Sequence, residues 1–69
     1  MHQKELGIKI KERRKFFNLT QIDLAEITGI GRRSLQMIEA GKGNPTLEQL
    51  IKIFDVLGLE LELKVMKNE

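Results

Sequence analysis

Arg32, Arg33 and Gln36 lie close together in GIGRRSLQMIEAG, residues 29–41. Each can make paired hydrogen bonds to a flat polar edge. Arginine matches guanine O6 and N7, and glutamine matches adenine N6 and N7. On a helix, Arg32, Arg33, Gln36 and Met37 fall on one side, with Ser34 at its edge and Leu35 and Ile38 turned away. Two arginines at a helix start could simply be solvated. Yet the positive end of the helix dipole disfavours cations there, so an anionic partner is the better account. Types and spacing together nominate Arg32, Arg33, Gln36 and Met37 for base edges in a major groove. Ser34 is a candidate for the sugar-phosphate backbone.

Such a helix needs elements that hold it. Residues 20–28 read as the one before it. Thr20 is a fitting N-cap, and Asp23 can complete a capping box. Leu19 and Leu24 have the spacing of a hydrophobic staple. Leu24 and Ala25 face inward, and Ala25 is small where two helices cross. Gly29 can take the positive φ of a sharp turn. The next helix runs over 32–40, with Gly41 as its C′ residue. Two short helices joined this way make a helix-turn-helix unit.

The flanking segments also read as helices. Over 3–17, Leu6, Ile10 and Phe17 form an apolar stripe that includes Arg14, with Ile8 and Phe16 off it. Asn18 is a left-handed stop. After the loop at 42–45, Thr46 caps a fourth helix with Gln49 as its box partner. Its apolar face is Leu47, Leu50, Ile53, Phe54 and Leu57, and Gly58 ends it. The period then changes from 3.6 to 2. Leu59, Leu61, Leu63 and Val65 alternate with charged residues, the mark of a strand with one buried face.

Length and composition bound the reading. With 69 residues, the chain buries only about 60% of its unfolded surface, so it is marginal alone. It has no cysteine and one histidine, which leaves oligomerisation as the route to more core. Net charge is +2. Residues 1–52 carry ten Lys/Arg against six Asp/Glu, and residues 53–69 two against four. A basic body with an acidic tail suits a polyanionic partner, although an ordinary solvated surface would look similar. No apolar run approaches the roughly 20 residues of a membrane span, and no signal peptide is evident. The expectation is a soluble cytoplasmic protein with no membrane role.

From LTQIDLAEITGI through GRRSLQMIEAGKGNPTLEQLIKIFDVLGL, the chain resembles the phage repressor/Cro-type (XRE) helix-turn-helix family over residues 6–59. The resemblance implies a mainly α fold, a small four-helix repressor-like domain that binds DNA. It implies that Gln21 contacts a phosphate and braces the reading helix. It implies that Arg14 pairs with Glu39 as a structural brace, which agrees with a charge on an apolar stripe. Lys42 and Asn44 match positions that touch the DNA backbone. Two features depart from the family. Gly31 stands where serine often caps the third helix. Ile22 and Ile27 stand where charged residues are commoner, either as a partner surface or as tolerated exposure.

The strand has no partner in its own chain, and unpaired backbone groups need one. Two-fold symmetry offers an antiparallel twin, making Leu59, Leu61, Leu63 and Val65 the dimerisation residues. Pairing centred on Leu63 sets Glu62 against Lys64 of the mate; centring on Glu62 would set like charges together. The expected organisation is a DNA-binding domain at 1–58 and a dimerisation strand with its tail at 59–69, the last residues fraying. Among its relatives, the chain is similar to HipB-like antitoxins, dimeric repressors that bind a HipA-like kinase toxin and regulate their own operon. A free-standing regulator, phage-type or a restriction-modification controller, would look much the same. Either binds double-stranded DNA at an inverted repeat. An enzyme ranks last. No nucleophile–base set or metal cluster is present, GIG at 29–31 follows a helix, and GKGNPT resembles a phosphate loop only in composition. No cofactor is expected.

Overall fold

A computed structural model describes residues 2–67. Among them are α1 (Gln3–Phe16), α2 (Gln21–Thr28), α3 (Arg32–Glu39) and α4 (Leu47–Leu57). Their boundaries follow from local chemistry. Thr20 Oγ1 accepts the Asp23 N–H at 3.0 Å, and Asp23 returns the bond to the Thr20 N–H at 2.9 Å. These bonds favour the carboxylate and hold the Asp23 pKa below its usual 3.8. Thr46 and Gln49 build the same box on α4. At the end of α1, Asn18 takes φ 58°, and the Leu19 N–H reaches back to Arg14 O. α1 and α3 each stop one residue short of the sequence expectation, ending at Phe16 and Glu39.

The helices enclose one core. α1 packs on α3 and α4, and α2 packs on the same two. Ile10, Leu24, Leu35, Ile53 and Leu57 are fully buried. Ile30, in the α2–α3 turn, is also buried. Thr28 sets that turn: its hydroxyl donates to Leu24 O at 2.7 Å and accepts the Ile30 N–H at 3.3 Å.

Two expectations need correction, and a third concerns a pairing that needs a second chain. Phe17 lies beyond α1 and is 43% exposed, so the stripe of α1 ends at Arg14. Leu47, expected on the buried face of α4, is 59% exposed at the first turn of that helix. The strand expected over 59–65 is absent from the single chain, and residues 59–67 carry no regular secondary structure. Leu59 packs on the core and its N–H donates to Phe54 O at 2.9 Å, whereas Leu63 and Val65 stand out into solvent. The fraying expected at Asn68 and Glu69 lies outside the described residues.

Candidate nucleic-acid interface

α3 has two unlike faces. Leu35 and Ile38 are buried in the core, and Glu39 is buried at its end. Arg32, Arg33, Ser34, Gln36 and Met37 are all exposed. Gly31 provides no side-chain cap, and the first turn holds no acidic residue. The N–H groups at this helix start and the two guanidinium groups therefore face solvent with no carboxylate in that turn. The dipole and the two cations together make this end of α3 electropositive.

Several contacts fix the helix from behind. Arg14 Nε and Nη2 donate to Glu39 Oε2 and Oε1 at 2.7 and 2.9 Å, a two-pronged bond deep between α1 and α3. Arg14 Nη1 donates to Leu19 O at 2.8 Å. The hydrogen bond to Glu39 raises the arginine pKa, outweighing the opposing effect of burial. Gln21 is half-buried, and its Nε2 donates to Glu39 Oε1 at 3.2 Å. This bond joins the start of α2 to the end of α3. Glu39 thus collects three donors, and among the described residues no buried side-chain N or O lacks a partner.

The backbone adds a steric lock. A β-carbon on Gly7 would fall 2.5 Å from Glu39 O and 2.6 Å from Ile38 O, so α1 lies almost directly on the end of α3. Gly41, at φ 76°, closes α3 with bonds from its own N–H to Ile38 O and from Lys42 N–H to Met37 O. Lys42 and Asn44 are exposed in the loop that follows. Gln3 Nε2 holds that loop from α1, donating to Gly43 O at 2.9 Å.

Two hollows involve this helix. One, of about 470 Å³, is lined by Arg14, Thr20, Gln21, Ile22 and Arg32. The other, of about 410 Å³, is lined by Arg33, Ser34, Met37, Asn44 and Gln49. The structure thus groups Gln21 with Arg32, and Asn44 with Arg33, Ser34 and Met37. The tail residues Leu59, Leu61, Leu63 and Val65 form no part of either hollow. Sequence reasoning missed Gly7 and Gln3. A lone glycine inside a helical pattern was a usable signal for Gly7, since it commonly marks a packing need. Gln3 gave none, because its partner lies 40 residues away.

Comparison with known proteins agrees with this geometry. Residues 10–64 match the helix-turn-helix family. The cryptic phage CTXphi transcriptional repressor RstR of Vibrio cholerae is 42% identical over 59 residues, 80% of this chain and 53% of its own. This chain therefore spans about half the length of that repressor. The ImmF control region 10 kDa protein of Bacillus phage phi105 is 35% identical over 91% of this chain and 70% of its own. Among solved structures, the restriction-modification controller protein C.AhdI of Aeromonas hydrophila aligns with a TM-score of 0.79 at 28% identity, covering 84% of this chain and 88% of that one. A chain of the HipA-HipB-O2-O3 complex aligns with a TM-score of 0.80 at 28% identity, covering 97% and 94%. With its buried brace, its exposed basic helix and these relatives, the chain belongs to the phage repressor/Cro-type helix-turn-helix family of DNA-binding transcription regulators.

Proposed function

We propose that the protein represses transcription by binding an inverted-repeat operator as a homodimer in the cytoplasm. The observation that carries this reading is the two-faced α3. Its inner face is locked to α1 and α2, and its outer face offers Arg32, Arg33, Gln36 and Met37 with no hydrogen-bonding or ionic side-chain partner among the described residues. These four read base edges. Gln21, Ser34, Lys42 and Asn44 hold the sugar-phosphate backbone on either side. Residues 59–65 pair antiparallel with the same residues of a second copy, centred on Leu63. The two α3 helices then enter successive major grooves about 34 Å apart.

In this reading the chain is the antitoxin of a HipA-like kinase toxin and represses its own operon. Its likeness to a chain of the HipA-HipB-O2-O3 complex supports that setting. A free-standing regulator is the second reading, supported by the likeness to C.AhdI and to the CTXphi repressor. Both make the same demand on α3.

Selection of bound sequences from random DNA should return an inverted repeat. Affinity for it should fall steeply with salt, as counterions are released from contacted phosphates. Arg32→Ala and Arg33→Ala should each lose about 1–3 kcal/mol of binding and relax preference at particular base pairs. Full sequence discrimination in both variants would remove α3 from the reading role.

A further inference from the structure

Met37 is the odd member of the outer face of α3. Arg32, Arg33 and Gln36 carry strong hydrogen-bonding groups, while a thioether is at best a weak acceptor. Met37 is not part of the core, being 39% exposed and absent from the side chains packed against it. Its fold-holding bond is made by its backbone carbonyl, which accepts the Lys42 N–H at 2.8 Å. Arg33 and Ser34 lie one turn back on the same face. All three line the 410 Å³ hollow beside Asn44 and Pro45. Gly43 walls one flank of Met37: a β-carbon there would sit 3.4 Å from Met37 Cβ. An apolar, adaptable side chain is therefore held beside an arginine, on a surface otherwise built for polar edges.

The major groove presents one apolar feature, the methyl group at C5 of a pyrimidine. We propose that Met37 reads a pyrimidine C5-methyl group, next to the guanine contacted by Arg33. This rests on the DNA-reading role of α3 proposed above. One helical turn of about 5.4 Å against a base step of about 3.4 Å places the methyl one or two base pairs from that guanine. Thymine and 5-methylcytosine carry the same group at the same position. Met37 thus makes the half-site sensitive to a single methyl that no hydrogen bond reports.

The test uses the whole chain and synthetic duplexes of its selected operator. In one arm, each thymine in turn becomes deoxyuridine, which removes only the methyl. In the other, cytosine is compared with 5-methylcytosine at each position. At one position, in at least one arm, methyl loss should weaken wild-type binding about three- to tenfold, the worth of burying one such group. Met37→Ala, at an exposed position, should fold normally and bind the methylated and unmethylated duplexes alike. The arm that responds identifies the pyrimidine. Indifference to the methyl throughout both arms, or an equal response in Met37→Ala, overturns the proposal. If Arg33→Ala weakens binding while every methyl is ignored, the methyl reading alone falls. If Arg32→Ala and Arg33→Ala both bind and discriminate like wild type, the groove-reading role falls and takes this proposal with it.

Discussion

Glu39 is where the reading helix is tied to the rest of the protein. Its carboxylate is buried, with 3% of the side chain exposed, and accepts from Arg14 and Gln21. Removing either member of such a buried pair strands the other charge, at a cost of about 3–5 kcal/mol. A domain of this length has about 3–10 kcal/mol in all, from roughly 0.05–0.15 per residue. Arg14→Met or Glu39→Leu alone should therefore unfold the protein or leave it barely stable in urea titrations. The double variant Arg14→Met/Glu39→Leu should recover a large part of that loss, because no buried charge is left unpaired. Purely additive losses would show that the two residues do not act as a pair. Arg14 was conspicuous in the sequence as a charge on an apolar stripe. The brace by Gln21 was legible only through the family resemblance, since a glutamine after a helix cap can face either way, and packing across 18 residues decides it.

At the scale of the helices, starts and stops were legible and depths of burial were not. Thr20–Asp23 and Thr46–Gln49 form their boxes because capping is a local property, settled within four residues. Phe17 and Leu47 show the opposite. Periodicity marks an apolar face but cannot say how much of it the neighbouring helices cover. Gly7 depends wholly on such a crossing. Alanine there would favour an isolated helix by up to about 1 kcal/mol. Its methyl would meet backbone oxygens of α3, which cannot swing aside as a side chain can. Overpacking of that kind costs about 1–3 kcal/mol. Gly7→Ala should therefore lower the thermal midpoint while weakening DNA binding, because the strain falls on the end of the reading helix. An unchanged or raised midpoint would show that α1 can lift away from α3 freely.

For the whole molecule, one group of exposed apolar residues lies at the end of the chain. Leu61, Leu63, Val65 and Met66 are 45–98% exposed, and Leu47 and Ile51 of α4 also face solvent. The acidic side chains Asp55, Glu60 and Glu62 rim the same region. The alternation that suggested a strand was readable in the sequence, but pairing is a property of two chains, and a single chain cannot display it. If the second copy supplies the partner strand, folding and association are linked by mass action. The unfolding midpoint should then rise with protein concentration. Leu63→Glu should abolish that dependence and bring the sedimenting mass down to one chain. A midpoint independent of concentration in the unaltered protein would argue against the dimer.

The bond from Gln3 to Gly43 O has a practical consequence at the front of the chain. It holds the start of α1 against the loop carrying Lys42 and Asn44, so anything joined ahead of Gln3 emerges beside the proposed DNA-facing surface. A purification tag fused there would place its own charges next to the phosphates. A histidine-rich tag would then report its own protonation, and a lysine-rich linker its own counterions, in any titration against salt. Binding measurements on this protein therefore call for a cleaved or tag-free amino terminus, even though that end lies far in sequence from the residues that read the bases.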